Sequence, residues 1–475
     1  MSLINTSQDL NKEKTFVSAE YIRNRFSKLM SDMYKNEVPL YGELLDLVHE
    51  INNSVISESK EIKEQLESTG EITRLNMERH GAIRLGKPYE LFTMRRLFKV
   101  MGMFPLGYYD LATAGVPVHS TAFRAIENTT LNQAPFRVFT SLLRLDLITD
   151  KKLRDNIETI LQNRQIFTKK ALELIEKNEN EGGLNKEDAE TFIQEALQTF
   201  QWHDTATVNY KMYEALLGQH RLIADVVAFK GPHINHLTPR TLDIDKVQNS
   251  MAARNITPKD NIEGPPTRKC PILLRQTSFK ALTEKVIFKD EIGTEKTGQH
   301  KARFGEIEQR GVALTQKGQD LYNELLSKTR KKIGGSPNAK NASEYNLLLK
   351  ENFKIFPDTY KELQQEGLAY FHYFTTNKIK KLSKEKTYTK SDINQLLKDG
   401  YLTIEPMVYE DFLPVSAAGI FASNLGTEDA RHEYEGSSNQ SLFEKDLGQP
   451  VYNLMTWYVN IQNETIEKCL KKINT

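Results

Sequence analysis

The sequence predicts an α+β fold in which two βαβββ modules form a metal-holding sheet or partial barrel. The first observation is an internal repeat: His80 and Arg84, in ERHGAIRLG, recur as His236 and Arg240, in INHLTPRTL, at an offset of 156 residues. The second is that one strand, one helix and three strands are predicted in the same order in both copies. Self-similarity at a fixed period indicates a repeated structural unit. Helical segments are expected before, between and after the two modules.

A phenylalanine strengthens the repeat. The same offset places Phe123, in STAFRAI, on Phe279, in QTSFKAL, so 43 residues separate the histidine from the phenylalanine in both copies. A single matched histidine could arise by chance, but several matched chemical types at one offset indicate a duplicated module. The duplication brings His80 and His236 to equivalent places, as two ligands of one metal would require.

Composition and charge limit the class of protein. The chain of 475 residues is 39% hydrophobic and carries 64 basic against 63 acidic side chains, so no net field attracts nucleic acid or a membrane. Its two cysteines, Cys270 and Cys469, are too few for a disulfide framework. No signal peptide and no apolar run of about 18 residues is recognisable. We therefore expect a cytoplasmic enzyme with no nucleic-acid or membrane partner, and the oligomeric state stays open.

Each element of the first half follows from a local pattern. YIRNRFSKLMSDMY and ELLDLVHEI space apolar residues at three and four, which predicts helices over residues 17–68. EITRLNMERHGAIRLG predicts a strand, and PYELFTMRRLFKVMG predicts a helix that opens with proline. GYYDLA, VHSTAFRAI and FRVFTSLLR predict three strands, separated by the turn-forming stretches TAGVP and ENTTLNQAP. These patterns place a helical segment at residues 1–70 and the first module at residues 71–145.

The second copy repeats the order. HINHLTPR predicts a strand, DIDKVQNSMAARNI a helix with Asp243 or Asp245 as its N-cap, and PILLRQTSFKAL, EKVIFKDEI and ARFGEIEQRG three strands. The region between the copies is predicted to be helical throughout, and the region after residue 314 mostly helical apart from the loop TRKKIGGSPNAKNA. We place a helical insert at residues 146–229, the second module at 230–313, and a C-terminal region that contributes to the pocket at 314–475.

Strand periodicity orients the repeated side chains. Residues four apart on a strand share a face, so His80 and Arg84 should point the same way, about 13 Å apart along the backbone. His236 and Arg240 should do the same, whereas His233 should face away from His236. One end of each strand would thus present an imidazole and the other end a guanidinium.

A carboxylate would complete a redox metal site. FGEIEQR, in the last strand of the second copy, places Glu306 and Glu308 on one face. Aligning Phe136 with Phe304 puts Val138 of the first copy opposite Glu306, so only one metal site can be built. Two histidines and one carboxylate leave three open positions, an arrangement that suits non-haem Fe(II). The residues alone favour Glu306 but leave Glu308 as an alternative.

These features resemble a known family. Two βαβββ modules around one metal are similar to the vicinal-oxygen-chelate superfamily, which includes glyoxalase I and 4-hydroxyphenylpyruvate dioxygenase, and the latter holds its carboxylate ligand in an F-x-E-I-x-Q-R context. More narrowly, ERHGAIRLG, FKGPHINHLTPRTLDID, LLRQTSFKAL, RFGEIEQRGVALTQKG and LPVSAAGIFASNL resemble the 2-oxoadipate dioxygenase/decarboxylase family, also called D-2-hydroxyglutarate synthases. The resemblance runs from about residue 72 to residue 425.

The resemblance implies roles for individual residues. By it, His80, His236 and Glu306 are the ligands of an Fe(II) cofactor, and Arg84 is the substrate-binding and catalytic arginine. The planar guanidinium of Arg84 suits a distal carboxylate because it can hold both oxygens. Arg240 receives no role from the resemblance and is interpreted as a residue that braces its strand.

The resemblance also implies a reaction. Its partners would be a small 2-oxo diacid and O2: 2-oxoadipate would be converted to 2-hydroxyglutarate, in the D form, and CO2, as in lysine catabolism. Val415 and Ser416 would line the pocket near the substrate carboxylate. Substrate length tolerance stays open.

Two other functions remain possible. One is a non-oxidative, glyoxalase-like isomerase or lyase of the same superfamily, which would consume no oxygen. The other is a non-catalytic binding protein that has kept the fold. The complete set of two histidines and one glutamate argues against the binding protein, because a binder need not keep all three.

Overall fold

The computed structural model describes residues 16–112, 115–290, 292–334, 341–382, 385–413 and 439–475. The predicted N-terminal helices are confirmed; they are α1 (Ala19–Glu37), α2 (Pro39–Glu58) and α3 (Lys60–Ser68). Ser18 caps α1 by accepting a hydrogen bond from the backbone N–H of Tyr21, and Pro39 occupies the start of α2, where its missing N–H costs nothing. The side of α1 that faces the core buries Ile22, Phe26, Met30 and Tyr34.

The first copy contains the predicted strands and helix. They are β1 (Arg79–Leu85), α4 (Pro88–Val100), β2 (Phe104–Asp110), β3 (Val118–Arg124) and β4 (Phe136–Leu143). β1 is shorter than expected, because residues 72–77 form turns. The stretch predicted as a turn between β3 and β4 instead contains a short helix, α5 (Asn128–Gln133). β4 pairs in parallel with β1 and antiparallel with β3, and β3 pairs antiparallel with β2.

The insert between the copies is helical but not throughout. Its helices are α6 (Lys151–Gln162), α7 (Lys169–Glu181), α8 (Lys186–Gln198), α9 (Tyr210–Gln219) and α10 (Arg221–Val227). Residues 199–209, predicted as helix, instead form an irregular connection that brings Trp202 against His233, with 4.6 Å between the ring centroids. Within the described residues, no helix has both the length and the apolar character needed to cross a bilayer.

The second copy is less regular than the sequence predicts. Its elements are β5 (His236–Pro239), α11 (Ile244–Met251), β6 (Leu274–Ser278), β7 (Glu284–Lys289), β8 (Glu295–His300) and β9 (Glu306–Arg310). Asp243 caps α11 by accepting from the N–H of Lys246. EKVIFKDEI forms a strand, but it pairs with β8 in a separate hairpin rather than with β6. β6 pairs directly with β9, so the β7–β8 hairpin is an insertion between them.

The two copies meet through β1 and β5. These strands pair antiparallel, which makes a five-stranded sheet in the order β2-β3-β4-β1-β5. Ala82 lies opposite His236 and His80 opposite Thr238, so these side chains share one face. β5 continues alongside β9, where the N–H of Thr241 donates to the carbonyl of Glu308 at 2.7 Å. One sheet face therefore carries both repeated histidines, with the glutamate strand beside it.

The C-terminal region is mostly helical, as predicted, but it also contains a hairpin that was not predicted. The helices are α12 (Gln316–Ile333), α13 (Ala342–Asn352), α14 (Tyr360–Gln365), α15 (Ile393–Lys398), α16 (Gln440–Leu447) and α17 (Leu454–Asn474). The strands β10 (Phe371–Thr375) and β11 (Leu402–Pro406) pair antiparallel. Part of the predicted loop, residues 329–333, belongs to α12. The chain after β11 runs beside the end of β9, where Tyr409 N–H donates to the carbonyl of Gly311.

Candidate metal centre

Three strands bring His80, His236 and Glu306 together. Their possible ligand atoms all lie within 4.8 Å of one another, and all three side chains are buried. The Oε1 atom of Glu306 is 3.1 Å from Nε2 of His80 and 3.7 Å from Nε2 of His236. The two imidazole rings stand nearly perpendicular, at 88°. The geometry gathers two nitrogen donors and one oxygen donor around one point.

The protonation states of His236 and Glu306 fit a divalent metal ion. Burial lowers the pKa of His236 to about 4, so its imidazole is neutral near pH 7. Burial raises the pKa of Glu306, but attraction to the two histidines outweighs it and leaves the pKa below its ordinary value. A neutral imidazole and an ionised carboxylate are the forms that bind metals. A buried carboxylate between two imidazoles is therefore a donor set suited to a metal with open coordination positions.

Two further side chains orient the carboxylate of Glu306. Thr238 Oγ1 donates to its Oε1 at 2.9 Å, and Gln276 Nε2 donates to the same oxygen at 3.1 Å. The sequence analysis did not identify either residue. Thr238 could have been found, because it lies two positions after His236 on the same strand and so shares its face. Gln276 could not, because its approach depends on the pairing of β6 with β9.

Glu308 lies near the cluster but on the other edge of the His80 ring. Its Oε2 is 2.9 Å from Nδ1 of His80, and its carboxylate accepts two hydrogen bonds from Arg310. Burial raises the pKa of Glu308, but Arg310 and His80 outweigh it and hold the pKa at about 2. Burial lowers the pKa of His80, but the carboxylates of Glu308 and Glu306 outweigh burial and leave the pKa above its ordinary value. Glu308 thus has the geometry of a carboxylate that orients a metal-binding histidine.

We expect Glu308→Gln to weaken metal binding without abolishing it. The amide would lose the charge that holds the His80 ring, and the loss of such an outer partner typically costs about 10- to 100-fold in metal affinity. Glu306→Gln, in contrast, removes a candidate ligand and should leave no stoichiometric metal. Titration of both variants with a divalent metal ion under anaerobic conditions measures the difference. The reverse order of effects would move the ligand from Glu306 to Glu308.

Arg84 lies on the same face of β1 as His80 but is already engaged by an acidic side chain. Its Nη1 is 2.5 Å from Oδ2 of Asp225, which belongs to α10 of the helical insert. Both side chains are buried. The sequence analysis did not identify Asp225, because no spacing relates a residue of the insert to strand β1. The charge of Arg84 adds to the effect of burial in lowering the pKa of His236.

The remaining singled-out residues lie outside the cluster. Nε2 of His233 lies 3.2 Å from Oδ1 of Asp225, so this side chain points to Asp225 and not to His236. Arg240 forms ion pairs with Glu71 at 2.6 Å and Glu78 at 3.1 Å, which suits the bracing role expected for it. Val415 and Ser416 lie outside the described residues.

The last described residues before Val415 reach the metal cluster. The ring of Phe412 packs against His80, with 4.7 Å between centroids, and against Phe139, at 5.0 Å. Phe412 therefore forms an apolar wall beside the candidate ligands. The sequence offered no signal for this contact, because Phe412 is separated from His80 by more than 300 positions.

Two acidic residues next to Phe412 are fixed by buried arginines. Asp411 accepts two hydrogen bonds from Arg124 and one from the hydroxyl of Tyr458. Glu410 pairs with Arg74 at 3.0 Å and with Arg137. These ion pairs attach the chain beside Phe412 to the first sheet.

We expect Asp411→Ala to destabilise the protein strongly. Arg124 and Asp411 are both fully buried, and removing one member of such a pair leaves an uncompensated charge that costs about 3–5 kcal/mol. Urea denaturation followed by circular dichroism measures the change in the free energy of unfolding. An exposed pair provides the control: Glu295→Ala, which breaks a contact with Lys289, should cost less than about 1 kcal/mol. Equal losses in both variants would contradict the expected contribution of burial.

Known proteins share this architecture over almost the whole chain. A family model described as 2-oxoadipate dioxygenase/decarboxylase matches residues 26–424. A 2-oxoadipate dioxygenase/decarboxylase of Pseudomonas putida is 56% identical over 97% of this chain and 98% of its own length. One of Escherichia coli is 49% identical over 95% and 98%. The crystal structure of the Pseudomonas putida hydroxyglutarate synthase in complex with 2-oxoadipate superposes with a TM-score of 0.87, at 54% identity, over 97% of this chain and 99% of that one.

Proposed function

The chain belongs to the 2-oxoadipate dioxygenase/decarboxylase family, and we propose that it converts 2-oxoadipate and dioxygen into 2-hydroxyglutarate, in the D form, and carbon dioxide. The six-carbon diacid loses one carboxyl carbon as carbon dioxide, and both atoms of dioxygen remain in the products. One observation supports this chemistry in the chain itself: the side chains of His80, His236 and Glu306 are buried and lie close together.

We assign Fe(II) to this cluster. Two imidazoles with one carboxylate are the ligand set of non-haem iron oxygenases, and the three side chains leave positions for other ligands. When bound, the iron would supply the redox chemistry that couples dioxygen to oxidation of the 2-oxo acid. The chain's own residues would hold the donors in place: Thr238 and Gln276 fix the carboxylate, and Glu308 fixes the ring of His80.

We also propose that the two copies are vicinal-oxygen-chelate modules, spanning residues 71–145 and 230–313. The pairing of β1 with β5, and of each of them with the last strand of its own copy, supports this assignment. The β7–β8 hairpin would then be an addition to the second module. In this arrangement His80 and His236 occupy equivalent positions on the two first strands.

Arg84, Val415 and Ser416 are proposed to bind the substrate. Arg84 would meet the distal carboxylate, since it lies on the same strand face as His80 and is buried away from water. Phe412 would exclude water from the reacting end, because its ring covers His80. Val415 and Ser416 follow closely after this buried aromatic residue, which supports their assignment to the pocket.

Oxygen uptake by the iron-loaded protein tests the proposed function. We expect 2-oxoadipate to stimulate oxygen consumption, with one carbon dioxide and one 2-hydroxyglutarate formed for each oxygen molecule. 2-Oxoglutarate, which is one carbon shorter, and 2-oxohexanoate, which lacks the distal carboxylate, should be poor substrates. Turnover of a substrate without oxygen uptake would instead support an isomerase of the same superfamily.

A further inference from the structure

Asp225 is a buried carboxylate with contacts on both of its oxygens. Oδ2 lies 2.5 Å from Nη1 of Arg84 and accepts from Nδ2 of Asn235 at 3.3 Å. Oδ1 lies 2.9 Å from Nε2 of His300 and 3.2 Å from Nε2 of His233. The side chain is therefore fixed from several directions, and Arg84 is one of its closest partners.

The groups that hold Asp225 come from separate parts of the fold. His300 ends the β7–β8 hairpin, and its Nδ1 lies 3.0 Å from the hydroxyl of Tyr213 in α9. His233 precedes β5 and packs edge-to-face on Trp202. The insert supplies the carboxylate and the hairpin supplies one of its partners, His300, so both additions to the repeated modules meet here. Burial raises the pKa of Asp225, but its contacts with His233, Arg84 and His300 reverse this and hold the pKa well below its ordinary value.

We propose that Asp225 is a positioning residue that holds the guanidinium of Arg84 in the orientation in which it binds the distal carboxylate of the substrate. The inference rests on the substrate-binding role of Arg84 proposed above. A long arginine side chain loses considerable rotamer freedom when a ligand fixes it, and a partner that fixes it beforehand removes that cost from binding. Asp225 engages Nη1 and so restricts where the guanidinium can lie. The helical insert would thereby contribute to substrate selection without touching the substrate.

The test compares binding of a diacid with binding of a monoacid. Asp225→Asn keeps the size of the side chain but removes its charge, and it should weaken anaerobic binding of 2-oxoadipate by about 10- to 100-fold, the scale of loss for misplaced binding groups. Binding of 2-oxohexanoate and iron content should stay at wild-type levels. Asp225→Glu should also be impaired, because one extra methylene displaces the guanidinium. Asp245→Asn, which removes the same charge from a less buried ion pair with Arg275 on another part of the fold, is the control and should bind both acids normally.

A double-mutant cycle shows whether Asp225 acts through Arg84. In an Arg84→Ala background, Asp225→Asn should have no further effect on 2-oxoadipate binding. If Asp225→Asn keeps the wild-type preference for the diacid, or binds it more tightly, the positioning role is wrong while the role of Arg84 stands. If Arg84→Ala itself keeps the preference, the proposed role of Arg84 fails and this inference fails with it.

A second variant covers the case in which Asp225→Asn does not fold. His300→Gln removes one brace of Asp225 but leaves the ion pair with Arg84 chemically intact. It should weaken 2-oxoadipate binding several-fold and leave 2-oxohexanoate binding unchanged. Wild-type affinity for 2-oxoadipate in a folded His300→Gln protein would overturn the proposal.

Discussion

Replacing His236 by alanine is expected to abolish both iron binding and oxygen consumption. The variant would leave one imidazole and one carboxylate, too few protein donors to retain the metal. His236 is buried and neutral, so removing it leaves no unpaired charge, and the fold should survive with a moderate loss of stability. Iron content after anaerobic reconstitution and gel filtration, together with an oxygen-electrode assay, provides the measurement.

His119 supplies a matched control for this experiment. It is also buried, and burial lowers its pKa to about 3, so it too is a neutral imidazole. His119 lies on β3. Consecutive side chains on a strand point to opposite faces, so His119 does not share the face of its neighbour Ser120, and its ring packs on Phe443. His119→Ala should therefore keep stoichiometric iron. His233→Ala should keep iron as well. An iron-replete His236→Ala protein would remove His236 from the ligand set.

The first copy was predictable because its local patterns and its long-range pairing agree. Its strands β2, β3 and β4 pair in sequence order, β1 pairs with β4, and apart from the short helix α5 the predicted order was observed. The second copy was predicted less well, since EKVIFKDEI has the alternation of a sheet strand yet pairs with β8 in a hairpin and with neither β6 nor β9. Alternation reports burial of one face, and it does not identify the partner strand. The β10–β11 hairpin was missed because its short strands lie among strongly helical patterns.

In the candidate site, too, some residues could be predicted from the sequence and others could not. His80 and His236 could be found from the repeat, and Glu306 from its position on a strand that ends the second copy. Glu306 and Glu308 share a strand face, so periodicity could only favour one of them. Asp225 contacts Arg84 from the insert, and Phe412 contacts His80 from the C-terminal region. Such contacts depend on tertiary packing, which leaves no spacing in a single sequence.

Arg84→Ala is expected to bind iron normally but to bind 2-oxoadipate far more weakly. Truncating one side of a buried, hydrogen-bonded charge pair costs about 2–5 kcal/mol, a loss of roughly 30- to 5,000-fold. The structure adds a second consequence, because Asp225 would lose a cationic partner at 2.5 Å. Some loss of stability should accompany the loss of affinity. Anaerobic calorimetry with the iron-loaded variant measures the affinity, and thermal unfolding measures the stability.

The conservative variant separates charge from geometry. Arg84→Lys keeps a positive charge that Asp225 can attract, so its stability should be closer to that of the native protein. An ammonium cannot reproduce the planar two-point contact of a guanidinium with a carboxylate, so 2-oxoadipate affinity should still fall. A lysine variant that binds 2-oxoadipate as well as the native protein would show that Arg84 contributes only a positive charge.

Substrate selectivity tests the role of Arg84 more directly than affinity or stability does. If Arg84 recognises the distal carboxylate, the native enzyme prefers 2-oxoadipate over 2-oxohexanoate, and Arg84→Ala should nearly equalise their kcat/KM values. This ratio is insensitive to a general loss of folded protein, because unfolding lowers both rates equally. If Arg84→Ala retains full selectivity for the six-carbon diacid, another residue must bind the distal carboxylate. The segment that contains Val415 and Ser416 would then be the next candidate, since it follows directly on the buried ring of Phe412 beside His80.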